Sequence, residues 1–244
     1  MIDVVNLTRQ FGGVTAVQDV SFTVSEGETV GLIGPNGAGK STLLALLGGQ
    51  VAPQEGEILL QGQRVDGLPA HRLQGLGMTR TFQIPRPFRR LTVLENLLLA
   101  APQDTLFGAL RGKRTAAEAV ARAERLLQQV KLHDQRDSPA GALSGGQHKL
   151  LELARALMAE PRVILLDEPC AGLHPEMIEF LGETITRLHD DGITFIIVEH
   201  NIGFILRQCS RVIVMAQGRV IMDAPPETVR HDRRVLDTFL GQDA

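Results

Sequence analysis

Thr29-Val30-Gly31-Leu32-Ile33 runs directly into Gly34-Pro35-Asn36-Gly37-Ala38-Gly39-Lys40-Ser41-Thr42. The first five residues are a short apolar run broken by Gly31, and they read as a buried β-strand. The segment Gly34 to Ser41 satisfies GxxxxGK[ST], and Ser41 to Gly48 reads as the start of an apolar helix. A strand–loop–helix unit of this kind aims backbone N–H groups and a helix N-terminus at one point, where phosphate oxygens are held. Gly34, Gly37 and Gly39 place no Cβ in the way, and Pro35, Asn36 and Ala38 complete the loop. Lys40 supplies a mobile cation, Ser41 a hydroxyl suited to Mg2+, and Thr42 continues the first helical turn. A glycine-rich turn that binds nothing is the competing reading. The strand before it and the helix after it weigh against that.

Outward from the loop, Ile2 to Leu7 and Val17 to Val24 are β-rich, and Glu57 to Leu60 with Arg64-Val65 suggests a hairpin around Gly62. Thr115 to Leu132 is rich in Ala, Leu, Glu and Arg, with Val120, Ala123, Leu127 and Val130 at helical spacing, and predicts a helix. Gln147 to Ala159 predicts another. Val163 to Leu166 and Thr194 to Val198 are near-continuous apolar runs, as expected of parallel strands covered on both faces. Glu176 to Leu188 reads as the helix between them, and Val212 to Met222 as a hairpin turning at Gln217-Gly218. The expected class is α/β. Residues 1–91 and 160–244 form the core with its β-rich beginning, and 92–159 form a helical insertion.

A phosphate loop that uses a divalent cation needs a second carboxylate. Asp167, at the end of the Val163 to Leu166 run, sits at the ligand-facing edge of such a sheet and is the candidate for Mg2+. Glu168, one residue on, is placed to accept a proton from an attacking water. In isolation, a solvated acidic turn would explain both.

The bulk composition excludes several classes. Hydrophobic residues make up 43% of 244, enough for a substantial core. Lys and Arg number 25 against 28 Asp and Glu, so no basic excess points to a nucleic-acid partner. Cys170 and Cys209 cannot form a disulfide framework and lack metal-ligand spacing, which suits a reducing cytosol. Met1 to Asn6 lacks the basic and apolar parts of a signal peptide, and the apolar runs are too short to cross a bilayer. A cytoplasmic chain is expected, one that meets a membrane only through a partner.

Leu143-Ser144-Gly145-Gly146-Gln147 precedes the second predicted helix. Ser144 can cap that helix, and the two glycines leave N–H groups open to an anion. On these residues alone, an ordinary capped helix is the default reading. The order of motifs is more specific. Gly34 to Ser41, then Gln83, Leu143 to Gln147, Asp167-Glu168 and His200 together resemble the ABC ATPase family over nearly the whole chain. P-loop kinases and GTPases carry no LSGGQ element.

The resemblance implies a P-loop NTPase (RecA-like) core, an N-terminal antiparallel β subdomain and an inserted α-helical subdomain. It implies ATP and Mg2+ as ligands, with Glu168, His200 and Gln83 catalytic and Ser41, Gln83 and Asp167 at the metal. Phe11 matches the aromatic that stacks on adenine, although an ordinary packed Phe is nearly as good a reading. Ser144, Gly145, Gly146 and Gln147 would complete the nucleotide site of a second ABC ATPase subunit, identical or paralogous, in a head-to-tail dimer. One departure stands out: His174 occupies the place in the D-loop where Asp or Asn is usual.

Three stretches look like the branched-chain amino acid (LivG-type) transporter ATPases: Phe11 to Val17, Thr79 to Gln83 and Phe239-Leu240-Gly241. The segment Pro102 to Arg114 sits where that subfamily carries extra residues. ATPases of urea or amide importers and of lipopolysaccharide exporters look similar. A soluble, non-transport ABC ATPase fits less well, because such proteins usually carry two ATPase halves or a long coiled coil, and a basic surface. Arg80, Arg86, Arg89 and Arg90 lie where the family docks transmembrane permease subunits, and a basic docking face is one reading of them. A solvated charge run is the other.

Overall fold

The computed structural model describes residues 1–81, 87–101, 116–233 and 235. The chain opens with β1 (Ile2–Phe11), β2 (Val14–Val24), β3 (Thr29–Ile33), α1 (Lys40–Leu47), β4 (Glu55–Leu60), β5 (Gln63–Arg64), α2 (Ala70–Gly75) and β6 (Met78–Arg80). Helices α3 (Val93–Ala100), α4 (Ala116–Gln129) and α5 (Gly145–Met158) follow. The chain then alternates through β7 (Val163–Asp167), α6 (Pro175–Asp190), β8 (Thr194–Val198) and α7 (Ile202–Gln208), and ends with β9 (Arg211–Ala216), β10 (Arg219–Ala224) and α8 (Pro226–His231).

Two sheets organise these elements. One is antiparallel, ordered β2-β1-β4-β5. The other is ordered β10-β9-β3-β8-β7-β6, parallel except for the edge pair β9–β10. Every residue of β3, β7 and β8 is buried. A fully buried Val, Leu or Ile side chain stabilises by about 1.5–3 kcal/mol relative to exposure, so these adjacent strands make the rigid frame. Their carboxyl ends, with that of β6, lie side by side along one edge.

Apolar layers cover both faces. One contains α1 and the antiparallel sheet, through Leu43, Leu44 and Val20. The other joins α3, α4, α5 and α6 to Ile164, Leu166, Phe195 and Ile197 of the parallel sheet. Gly31, mid-strand in β3, leaves room for α7: a Cβ there would stand 2.6 Å from Ile205 Cγ2.

Element ends differ from the sequence expectations for local reasons. Strand β1 continues past Leu7 to Phe11 because Asn6 takes φ 49 and the pairing register shifts, so the ladder resumes through polar residues. Helix α4 stops at Gln129 although Val130 and Leu132 are fully buried. Lys131 turns left-handed at φ 55, and the Leu132 N–H reaches back to the Leu127 carbonyl at 2.8 Å, a Schellman-type ending. Helix α5 begins at Gly145, two residues before the expected Gln147, because Ser144 and Gln147 form a reciprocal capping box.

Candidate active site

The glycine loop leaves β3 and enters α1 at Gly39. Its glycines serve packing as well as phosphate access. A Cβ on Gly34 would lie 2.2 Å from the Met215 carbonyl oxygen, and one on Gly39 2.2 Å from that of Ala16. The loop is thus wedged between β9 and β2, while Asn36, Gly37 and Ser41 face solvent. Lys40 is 5% exposed, and its Nζ donates to the Gly34 and Pro35 carbonyls at 2.7 and 2.9 Å. Burial lowers the pKa of its ammonium, and the Glu168 and Asp167 carboxylates oppose that shift. The cation therefore already stands in the field of both acids.

Asp167 ends β7 with its carboxylate buried. Oδ2 accepts from Arg80 Nη2 at 2.7 Å, whereas Oδ1 is buried with no hydrogen-bond partner among the described residues. A buried carboxylate oxygen left unsatisfied calls for a ligand. Together with the exposed Ser41 hydroxyl, it makes a donor set that fits Mg2+, a cation that takes oxygen ligands and keeps several waters. Arg80 thereby corrects the basic-face reading. It turns inward onto Asp167 and Gln50 along the bare surface of Gly48, so it is unavailable to a docking partner. Arg89 and Arg90 remain exposed.

Glu168 adopts φ 47, a left-handed conformation that costs a non-glycine residue about 1–3 kcal/mol and has to be held in place. Its N–H donates to the Val198 carbonyl at 2.9 Å, and its own carbonyl accepts from Lys149 Nζ at 2.7 Å. The bend turns the carboxylate toward the end of β8, where His200 Nε2 stands 3.0 Å from Glu168 Oε1. The imidazole is 43% exposed, so the pair faces outward and is open to a reactant.

The Leu143 to Gln147 segment presents Ser144 and Gly145 to solvent. Ser144 Oγ accepts from the Gln147 N–H at 3.3 Å, and Gln147 Oε1 accepts from the Ser144 N–H at 2.9 Å. A Cβ on Gly146 would touch Leu173 and Met177 at 3.3 Å, so the signature turn packs beside the His174 turn. Phe11, at the tip of the β1–β2 hairpin, is 45% exposed with the Arg9 guanidinium 4.8 Å from its ring centroid. Gln83 lies outside the described residues, as do Arg86, the Pro102 to Arg114 segment and Phe239 to Gly241.

Residues 17–171 match the family model described as ABC transporter. The chain belongs to the ABC transporter ATPase family.

Several ABC relatives extend the likeness past that segment, to the region of His200. A protein of Archaeoglobus fulgidus named as a probable branched-chain amino acid transport ATP-binding protein, LivG, is 37% identical over 97% of this chain and 93% of its own length. The high-affinity branched-chain amino acid transport ATP-binding protein BraF of Pseudomonas aeruginosa is 36% identical, over 99% of this chain and 98% of its own. Among solved structures, an ATP-binding cassette of an ABC transporter in its ADP conformation superposes with a TM-score of 0.89 at 34% identity, covering 99% of this chain and 98% of that one. A dimeric cassette in a post-hydrolysis state, bound to ADP and Pi, gives a TM-score of 0.80 at 29% identity, over 93% and 99%.

In this ABC ATPase, one sheet edge brings Lys40, Asp167, Glu168 and His200 together. Three residues hold the group in place, of which sequence reasoning gave Arg80 another role and passed over Lys149 and Glu199. Arg80 fixes Asp167, Lys149 fixes the Glu168 peptide, and Glu199 sits 3% exposed beside His200. Glu199 carried one legible signal: it is a carboxylate placed directly after the apolar run Phe195 to Val198.

Proposed function

We propose that this chain binds Mg-ATP on the Gly34 to Ser41 loop, hydrolyses it within a head-to-tail dimer, and drives branched-chain amino acid uptake through separate permease subunits. The observation that carries the catalytic reading is the Glu168–His200 pair, 3.0 Å apart at the carboxyl ends of adjacent strands. The substrate class rests on the named activity of the LivG and BraF relatives. The subunit would sit on the inner face of the cell membrane through its permease, since no helix among the described residues is long and apolar enough to cross one.

The residues divide the work. The loop amides and Lys40 bind the phosphates, with Lys40 exchanging its carbonyl partners for phosphate oxygens. Ser41 and Asp167 would hold Mg2+, with Gln83 as the third group assigned to it. When bound there, Mg2+ would supply positive charge against that of the phosphates. Glu168 accepts the proton of the attacking water, and His200 Nε2 orients that carboxylate and stands beside the γ-phosphoryl group as it passes from ADP to water. Phe11 stacks on the base. Ser144 to Gln147, capped and with Ser144 and Gly145 exposed, close over the partner's triphosphate. Residues 92–159 act as the helical subdomain that carries this signature.

Glu168→Gln tests the reading directly. Turnover should fall by about 100-fold or more, on the scale of a lost general base, while ATP binding persists and size-exclusion chromatography shows an ATP-trapped dimer. A variant hydrolysing at the wild-type rate removes Glu168 from the mechanism. Uptake of radiolabelled leucine by vesicles containing the cognate permease checks the substrate class.

A further inference from the structure

Glu199 is the one residue between the end of β8 and His200, and its side chain is 3% exposed. A carboxylate so deeply buried persists only when it is fully hydrogen-bonded. Its Oε1 accepts the Cys170 N–H at 2.5 Å, and its Oε2 accepts the N–H groups of His200 and Asn201 at 3.0 and 3.2 Å. Cys170 follows Glu168 by two residues. One side chain therefore ties the turn that carries Glu168 to the turn that carries His200.

Two further features favour a catalytic purpose over simple helix capping. The cap of α7 is already supplied by Asn201, whose side chain accepts from the Phe204 N–H at 3.0 Å, so Glu199 is not needed there. Lys149, reaching across from α5, places its ammonium on the Glu168 carbonyl and in the field of Glu199. Burial pushes the Lys149 pKa down, and Glu199 is the foremost of the acids that oppose the shift. The cation and the carboxylate thus both hold the turn that carries Glu168, and the carboxylate joins it to the turn that carries His200.

We propose that Glu199 is a positioning residue: by clamping the peptides of Cys170, His200 and Asn201 it holds Glu168 Oε1 and His200 Nε2 at their 3.0 Å separation. The inference rests on the catalytic reading of Glu168 and His200 given above. Replacing the carboxylate by an amide keeps one acceptor and sets an NH2 group against a peptide N–H. Either the Cys170 side or the His200–Asn201 side then loses its tie.

Steady-state hydrolysis and nucleotide binding by the purified full-length chain test this, together with the ring-nitrogen NMR signals of 15N-histidine-labelled protein. His200 is assigned among the 7 histidines from the spectrum of His200→Ala. Glu199→Gln is expected to lower kcat by about tenfold or more, as a misplacement approaching 1 Å does. The KM for ATP and the affinity for trinitrophenyl-ATP should stay within about twofold of wild type. Its His200 ring signals should move in the direction seen in Glu168→Gln while the other histidines keep theirs. Glu199→Asp, which retains charge but is shorter, should give a smaller kcat loss of the same kind.

Unchanged kcat overturns the proposal, and so do stationary His200 signals. A loss shared by KM, trinitrophenyl-ATP affinity and Tm marks general damage to the fold and overturns it too. If Glu199→Gln does not fold, Glu199→Asp is judged by the same measurements. Failure of the underlying reading is visible separately, as a Glu168→Gln protein with wild-type turnover whatever Glu199 does.

Discussion

His174 opens α6 with its backbone alone. It sits at φ -68 and ψ 149, its carbonyl accepts the Met177 and Ile178 N–H groups at 2.9 and 3.1 Å, and its side chain makes no cap bond. Pro175 follows at the first helical position, where its missing N–H costs nothing. An Asp in place of the exposed imidazole would accept one of the free N–H groups and add a negative charge at the positive end of the helix. His174→Asp should therefore stabilise the fold by about 0.5–1 kcal/mol, read as a higher urea midpoint with an unchanged m-value. A lower midpoint would mean that the ring makes a contact worth more than a cap. At this scale the sequence was most informative where motif order removed the alternatives for a residue. Lys40, Asp167 and Glu168 lie in one electrostatic neighbourhood, as their motif order implies. Glu199 escaped notice because a carboxylate beside a histidine has many uses, and its three N–H partners depend on two turns meeting in space.

At the scale of elements, β6 shows why some of the site was illegible. Met78 to Arg80 is too short to display a period of two, and its only strand partner among the described residues, β7, lies some eighty residues further along the chain. The pairing is what delivers Arg80 to Asp167, with both side chains nearly buried at 11% and 6% exposure. Removing one member of such a pair strands the other charge. Arg80→Gln should cost about 3 kcal/mol of stability in the nucleotide-free protein, measured by chemical denaturation. Mg-ADP should recover much of that loss, because it offers Asp167 a new cationic partner. An equal cost with and without Mg-ADP would show that Asp167 does not face the ligand. The β3–α7 contact yields a second prediction. Gly31→Ala forces a methyl to within 2.6 Å of Ile205 Cγ2 and 3.2 Å of Cys209 Sγ. It should destabilise by about 1–3 kcal/mol through overpacking, and adding Ile205→Val should restore part of the loss.

For the molecule as a whole, the near-continuous apolar strands made the α/β class readable, but not the order β10-β9-β3-β8-β7-β6. Periodicity is local, and β3 finds its neighbours β8 and β9 more than 160 residues away. The layer that results runs without a break from the helices α3 to α6, across one face of the sheet, to α7 and α8. Cys170 and Cys209 lie at two separate places in that layer, 5% and 6% exposed. Burial pushes the Cys209 thiol up to about 12, and burial together with the nearby Glu199 carboxylate pushes Cys170 well above the ordinary thiol range. Only the thiolate attacks a disulfide reagent, so near neutral pH neither cysteine should react from the folded state. Reaction must wait for an opening of the shared core, and if that core is one cooperative unit the two thiols will report the same opening. With Ellman's reagent, single-cysteine variants Cys170→Ala and Cys209→Ala should label at similar rates. Mg-ADP at 100 times its Kd should slow both by about 100-fold, since the ligand lowers the open population by that factor. A Cys170 that labels fast and indifferently to nucleotide, beside a protected Cys209, would show instead that the turn after Glu168 opens on its own. The tie between the Cys170 N–H and Glu199 would then open with or without nucleotide.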